Sequence, residues 1–164
     1  MIITSYVSSA ERGTAYHNFL QLVDFSNNDE LMNQIDLLYS EFKEKELIDV
    51  SLCKNILSNE FFKEISNMKV LKEREFFAEV PANLLDKNAH TNDKIIMQGI
   101  IDLCAISEND VFVLDYKTGK FSDEKLQKYK FQLDVYSDIC EKAINRKVTG
   151  KFICFIDEQK FVKI

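Results

Sequence analysis

The segment VFVLDYKTGK, residues 111–120, places an aspartate and a lysine at the end of an apolar run. Asp115 and Lys117 are two positions apart, so in a β-strand their side chains lie on the same face. Burying either charge without a partner is unfavourable. The sequence therefore predicts either an ion pair at the end of a buried strand or a site that uses both charges.

A second aspartate, Asp102, follows another apolar run in the segment GIID. The two predicted strands are separated by SEND, residues 107–110, and four residues are a common hairpin loop. Pairing that is symmetric about this loop matches Asp102 with Asp115, with Cβ atoms roughly 4.5–5.5 Å apart. Because like charges directly opposite each other are destabilising, the pair requires a cation between them or one protonated carboxyl group.

Two carboxylates and a lysine on one hairpin suit the hydrolysis of a phosphodiester. The carboxylates can bind Mg²⁺, which holds the phosphate and lowers the pKa of a bound water, while Lys117 orients that water and stabilises developing charge. Gly99, three residues before Asp102, leaves room for another backbone or a ligand. The KTGK segment is not a P-loop, because Leu114 and Phe121 occupy the positions that require Gly and Ser or Thr.

The elements that must position these residues follow from apolar periodicity and capping residues. SSAE at residues 8–11 fits a capping box and predicts a helix from about Ser9. The spacing of apolar residues predicts a second helix over 31–42 and one or two short helices within 48–66. Strands are predicted at 70–80, 94–106, 111–117, 150–156 and 160–164, with a long helix after Ser122 or Asp123 between the third and fourth strands. This order predicts an α/β or α+β fold with a mixed sheet flanked by helices.

Composition narrows the classes of function. The 164 residues suggest one domain, 46% of them are hydrophobic, and the formal net charge of −6 argues against binding nucleic acid by bulk charge. We expect a cytoplasmic protein, because there is no secretory signal and no apolar run long enough to span a membrane. The cysteines are too far apart for a zinc or iron–sulfur motif and are expected to be buried free thiols: Cys53, Cys104, Cys140 and Cys154. The abrupt start, MIITSYVSSAERG, suggests a domain excised from a longer protein.

Taken in order, ERGTAYHNFLQ, REFFAEV, QGIIDLC, VLDYKTGK and QLDVY resemble the RecB-type branch of the PD-(D/E)XK nuclease superfamily. Within that branch they resemble the C-terminal nuclease domains of AddAB-type helicase–nucleases, over nearly the whole chain. The resemblance implies a restriction-endonuclease-like fold and one nuclease domain over 1–164, with a helical part at 1–68 and a catalytic part at 69–164. It also implies a metal-dependent deoxyribonuclease, a 3′–5′ exonuclease on single-stranded DNA that acts in double-strand-break repair and recombination.

The resemblance assigns roles to residues at matching positions. His17, Asp102 and Asp115 would be metal ligands, and the main-chain carbonyl of Tyr116 would lie close to the same metal. Lys117 would be the catalytic lysine beside the two aspartates. The metal would be Mg²⁺, with Mn²⁺ able to substitute, and neither an iron–sulfur cluster nor a nucleotide is expected in this domain.

Other polar residues have a functional and an ordinary interpretation. Gln132 and Tyr136 are four residues apart on the long helix, where they would contact DNA phosphate or buttress the site. Glu75 is either an outer-sphere metal group or a charge on an edge strand, and Thr118 either touches phosphate or forms a turn. Four lysines form either a DNA-facing patch or a solvated helix face: Lys120, Lys125, Lys128 and Lys130.

The implied partners are a single-stranded DNA end delivered by a helicase motor, the helicase portion of the same chain and an AddB-type subunit, with no membrane. Two alternatives remain at this point. One is a non-catalytic DNA-binding or scaffolding module on the same fold, against which the complete set of His17, Asp102, Asp115 and Lys117 argues. The other is a small stand-alone endonuclease of a mobile element, against which the abrupt start argues.

Overall fold

The computed structural model describes residues 8–84, 88–90 and 92–164. The helices are α1 (Ser9–Leu20), α2 (Leu31–Glu41), α3 (Val50–Leu57), α4 (Glu60–Ile65) and α5 (Asp123–Ile144), and short 3₁₀ turns lie at Asn28–Glu30, Lys45–Leu47 and Ala82–Leu84. The strands are β1 (Lys69–Pro81), β2 (Lys94–Ile106), β3 (Val111–Lys117), β4 (Gly150–Phe155) and β5 (Lys160–Lys163). The irregular stretch expected between β1 and β2 includes residues 85–87 and 91, which lie outside the described residues.

The five strands form one mixed sheet in the order β1-β2-β3-β4-β5. The pairs β1–β2, β2–β3 and β4–β5 are antiparallel, whereas β3 and β4 are parallel. Because parallel neighbours need a long crossover, α5 connects β3 to β4 across one face of the sheet. The predicted mixed sheet with flanking helices is therefore confirmed.

Two hydrophobic clusters cover the two faces of the sheet. Helices α1–α4 pack on one face through a cluster that includes Phe19, Phe62 and Leu114, and α5 packs on the other through a cluster that includes Val113 and Leu133. Strand β3 lies between both clusters and is buried from its first residue to the sixth. Burial on both faces explains why its sequence is an uninterrupted apolar run up to the aspartate. None of the helices in the described part of the chain has the length and apolar character needed to cross a bilayer.

The two helices that carry predicted site residues begin at side-chain caps. Ser8 and Glu11 form the predicted capping box of α1, in which the Glu11 N–H donates to Ser8 Oγ over 3.2 Å and the Ser8 N–H to Glu11 Oε2 over 2.8 Å. At α5, Ser122 accepts from the Lys125 N–H over 3.3 Å and is the cap, rather than Asp123. The caps set where each helix starts, and hence which of its side chains face the sheet.

Strand β1 is irregular at Glu73. Its neighbours Lys72 and Arg74 pair with Leu103 and Ile101 of β2, but Glu73 has a φ of 48° and does not join the ladder. A positive φ is uncommon and strained for a glutamate, and strained residues of this kind cluster at functional sites. The register on both sides nevertheless places Glu73 opposite Asp102.

The alternation of side chains shifts at the same place in both strands. In β1, Leu71 and Phe76 both pack in the cluster beneath α5, although they are five residues apart. In β2, Ile101 and Cys104 do the same, three residues apart. An odd separation between two residues on one face means that two-residue alternation fails between them. Because of this change of face, the Asp102 side chain does not point towards α5. It points to the other side of the sheet, where α1 packs.

Candidate active site

The site lies where β2 and β3 separate. Their ladder runs in the predicted register and ends at the pair Leu103 and Leu114. The next positions in that register are Asp102 and Asp115, which are 6% and 2% exposed. The strands no longer pair there, because the Tyr116 N–H donates to Asp102 Oδ2 over 2.7 Å instead of to a main-chain carbonyl. One aspartate thus stands in for a sheet hydrogen bond at the fork.

Helix α1 brings His17 to this fork. Its Nδ1 lies 3.4 Å from Asp102 Oδ1 and 3.6 Å from Glu73 Oε1, and its Nε2 lies 3.2 Å from the main-chain oxygen of Tyr116. Ligand atoms of His17, Glu73 and Asp102 all lie within 4.8 Å of one another. Both ring nitrogens therefore face oxygen acceptors, an arrangement that favours the doubly protonated imidazolium. Burial opposes that charge, but Asp102 and Glu73 outweigh it and raise the pKa of His17 to about 10.

Asp115 and Lys117 form a close ion pair beside this cluster. Lys117 Nζ lies 2.6 Å from Asp115 Oδ2, but not in hydrogen-bond geometry, so Oδ2 is buried without a hydrogen-bond partner. Burial, followed by the charge of Asp102, raises the pKa of Asp115 to about 6, against the opposing effect of Lys117. Burial lowers the pKa of Lys117, but Asp115 more than compensates and the pKa is raised overall. The ion pair considered from the sequence is thus present, as one part of a larger charged cluster.

The donor set fits a divalent cation with a preference for oxygen. Carboxylates of Glu73 and Asp102 lie close to one imidazole, that of His17, whereas Asp115 lies outside this group and the carbonyl oxygen of Tyr116 faces the other nitrogen of the ring. Such a set of hard oxygen ligands with a single nitrogen suits Mg²⁺ or Mn²⁺ better than a thiolate-seeking metal.

Glu73 was missed in the sequence, where Glu75 was considered instead. The structure places Glu75 on an exposed part of β1, opposite Ile100, and Glu73 beside His17. Both glutamates lie in one charged stretch, and two-residue alternation does not distinguish them. The signal that could have found Glu73 is its position opposite Asp102, but residues 82–93 form a connection too long to predict that register.

Gln132 and Tyr136 lie on the face of α5 that approaches the site. Gln132 Nε2 donates to the Tyr136 hydroxyl, and the Tyr136 ring is buried edge-on against Phe76 at a centroid distance of 5.4 Å. The Phe76 ring in turn lies only 2.8 Å from where a Cβ would stand on Gly99. Gly99 therefore makes room for Phe76, rather than for a backbone or a ligand as expected.

The loop after β3 is tied to both α1 and the β4–β5 turn. Asp157 accepts from the main-chain N–H of Gly119 and from the Arg12 guanidinium, whose Nη1 lies 3.0 Å away. Thr118 packs beside α1, with its Oγ1 3.2 Å from where a Cβ would stand on Gly13. Asp157 thus fixes the helix that carries His17 to the loop that follows Lys117.

The four lysines considered from the sequence are not equivalent. Lys125, in the first turn of α5, donates from Nζ to the main-chain oxygen of Lys120 in the preceding loop over 3.0 Å. Lys128 is exposed at the edge of a groove beside α5, and Lys130 is half-buried.

Comparisons with known proteins agree with this geometry. A profile of the PD-(D/E)XK nuclease superfamily matches residues 3–163. Relatives named as ATP-dependent helicase/nuclease subunits of the AddA type occur in Clostridium beijerinckii (32% identical over 177 residues), Clostridium botulinum strain Okra (29% over 172) and Carboxydothermus hydrogenoformans (28% over 177). These alignments cover 96–97% of this chain but only 13–15% of each relative. The chain belongs to the PD-(D/E)XK nuclease superfamily, and the resemblance to AddA nuclease domains is confirmed.

Proposed function

We propose that this chain is a divalent-metal-dependent deoxyribonuclease that hydrolyses phosphodiester bonds, with Mg²⁺ as its usual metal and Mn²⁺ able to replace it. The observation that carries the proposal is the convergence of His17, Asp102 and the Asp115–Lys117 pair at the fork between β2 and β3. A purely structural ion pair would need only two of these groups. The membership of a nuclease superfamily supports the same conclusion.

The proposed division of roles takes the ligands from the family resemblance and adds Glu73 from the observed contacts. His17, Asp102 and Asp115 hold the cation, with the Tyr116 carbonyl and Glu73 beside it. When bound, the cation would polarise the scissile phosphate and lower the pKa of a water ligand. Lys117 is held by Asp115 with its ammonium facing the site, where it would orient the attacking water and stabilise negative charge on phosphate.

Supporting side chains keep these groups in place. The hydrogen bond from the Tyr116 N–H fixes the carboxylate of Asp102, so this ligand is ordered before any metal binds. Tyr136, held by Gln132 and Phe76, closes the α5 side of the site near Lys117 and Asp115. Preorganisation of this kind reduces the reorganisation that catalysis would otherwise require.

The substrate proposed from the relatives is a single-stranded DNA end, degraded 3′–5′. The names of the relatives join a nuclease to an ATP-dependent helicase, and this chain aligns with 13–15% of their length. We therefore place it as one nuclease domain, residues 1–164, acting beside the helicase portion of the same polypeptide and an AddB-type subunit. In this role it would trim broken DNA ends in the cytoplasm during repair and recombination.

The test is cleavage of DNA in the presence of Mg²⁺ or Mn²⁺, with single-stranded and duplex substrates labelled at the 3′ or the 5′ end. Asp115→Asn should lower the rate about 100- to 1,000-fold, because it removes a charged ligand from the site. The matched control is Asp138→Asn, which alters an exposed aspartate on α5 away from the fork and should cleave normally. Circular dichroism checks that both variants fold.

Two results would contradict the proposal. One is an Asp115→Asn variant that cleaves as fast as the wild type. The other is a wild-type chain that binds the cation but cleaves none of the substrates, which would favour the non-catalytic module on the same fold. Early release of the 3′ label would show 3′–5′ degradation, and early release of the 5′ label would show 5′–3′ degradation.

A further inference from the structure

We propose that a groove next to the catalytic cluster binds an unpaired nucleobase of single-stranded DNA, with the ring of Phe131 as its stacking surface. The proposal rests on the proposed function, because it specifies the form of DNA that this site accepts. It concerns residues that do not belong to the metal and lysine cluster.

The groove lies between α5 and the part of the β1–β2 ribbon that extends beyond β3. Its volume is about 470 Å³, within the roughly 300–1,000 Å³ of pockets that hold small organic ligands. Its walls are largely aromatic or apolar, and one cation stands at the edge: Phe76, Met97, Tyr129, Phe131, Tyr136 and Lys128. Flat aromatic walls with a single nearby cation suit a nucleobase attached to a phosphate.

The groove is continuous with the catalytic cluster. Tyr129 lines it and also lies beneath Lys117, whose Nζ is 4.8 Å from the centre of the Tyr129 ring. Tyr136 lines it and is near Asp115 and Lys117. A base in the groove would therefore have its own phosphate within reach of Lys117, as a nuclease substrate requires.

Phe131 has the features of an open stacking surface. It is 39% exposed, and within the described residues it makes no ring–ring contact, unlike its neighbour Tyr129, which contacts Phe155. An aromatic ring left partly exposed on a helix is available to stack on any base, because every base has a π-face. A base within a duplex is already stacked on both faces and cannot enter, so the groove selects single-stranded DNA.

The charge of the chain points the same way. A net charge of −6 gives little general attraction for DNA, so affinity must come from local contacts. Stacking in the groove provides such a contact with little dependence on salt, and Lys128 close to the phosphate adds a salt-dependent one. An apolar side chain of a protein partner would also fit an aromatic groove, but it would not need the neighbouring Lys117 and Lys128.

The test is fluorescence anisotropy with labelled oligothymidylate and with an abasic phosphodiester strand of equal length. Measurements in EDTA separate binding from cleavage. Phe131→Ala should weaken oligothymidylate binding about 5- to 150-fold and leave the abasic strand unchanged. Phe131→Tyr keeps the ring and should bind within about twofold of the wild type. The matched control is Phe77→Ala, since Phe77 is 75% exposed on the opposite face of the ribbon.

Equal binding of both strands by the wild type would overturn the proposal, as would a Phe131→Ala variant that binds oligothymidylate like the wild type. The second result would favour a protein side chain as the occupant. A wild-type chain that prefers oligothymidylate through Phe131 but cleaves no DNA with any metal would retain the base site and refute the nuclease function. The two proposals therefore fail separately.

Discussion

Binding of the catalytic cation should displace a proton from His17. In the metal-free protein both nitrogens of this ring face oxygen acceptors, and the pKa of His17 is raised to about 10. A metal ligand must be the neutral imidazole, so cation and proton compete for the same nitrogen. The raised pKa means that the proton is bound throughout the neutral range, and that metal affinity should increase as pH rises.

The size of this effect follows from the pKa. Between pH 7 and 8.5, well below about 10, one proton is released per cation and affinity should rise about 30-fold, or about 2 kcal/mol. Below pH 6 the slope should steepen, because the pKa of Asp115 is raised to about 6 and a second proton must leave. If the pKa of His17 were an ordinary 6.5, affinity would be almost constant from pH 7.5 upwards.

Isothermal titration calorimetry with Mn²⁺ measures both the metal affinity and the number of protons released, since the latter follows from titrations in buffers with different ionisation enthalpies. The wild type should release about one proton per cation at pH 7.5. His17→Gln should bind more weakly and lose the pH dependence, whereas His90→Gln, which changes the exposed second histidine, should behave like the wild type. Affinity that stays constant from pH 7 to 8.5, with no proton release, would refute His17 as a protonated ligand.

Three further changes test the supporting structure. Lys117→Ala should retain cation binding by calorimetry but lower the cleavage rate about 100-fold or more, because the proposed cation ligands remain, with the cation able to replace the lysine as the charge partner of Asp115, while the group that faces the phosphate is lost; weaker cation binding would contradict this. Gly99→Ala places a Cβ 2.8 Å from the Phe76 ring and should lower stability by about 1–3 kcal/mol in urea denaturation; an unchanged midpoint would show that Phe76 moves freely. Asp157→Asn weakens the charged contact to Arg12, so it should lower the free energy of unfolding by about 1–3 kcal/mol and slow cleavage. An unchanged cleavage rate would contradict this.

The hairpin that carries the two aspartates could be predicted because its determinants are local. A four-residue loop fixed the register, and apolar runs gave the bounds of β2 and β3 as they are observed. The same register places Asp102 and Asp115 opposite each other, one position beyond the last pair of the observed ladder. Lys117 followed from two-residue alternation on the same strand.

The rest of the cluster depends on contacts between segments far apart in the chain. His17 reaches Asp102 because α1 packs on the sheet. No local sequence pattern specifies how a helix is rotated on its neighbours, so only the family resemblance indicates that His17 belongs to the site. Glu73 reaches the site through a positive φ, at a place where both strands change face. Simple alternation assumes that a strand keeps one face, so it fails at the irregularity that assembles the site.

The charges of the cluster explain how the fold keeps these acids buried before a cation arrives. By register, Glu73, Asp102 and Asp115 occupy neighbouring positions on three adjacent strands, and like charges so close together are destabilising on their own. A charged His17 lies on the α1 side of these acids and a charged Lys117 on the α5 side, which leaves a net charge of one negative unit when all three acids are ionised. Exchanging the proton of His17 for a divalent cation removes one positive charge and adds two, so the cluster becomes neutral. If His17 is a ligand as proposed, it has two roles, as the internal cation of the cluster and as a donor to the metal, and metal affinity should depend on how readily its proton leaves.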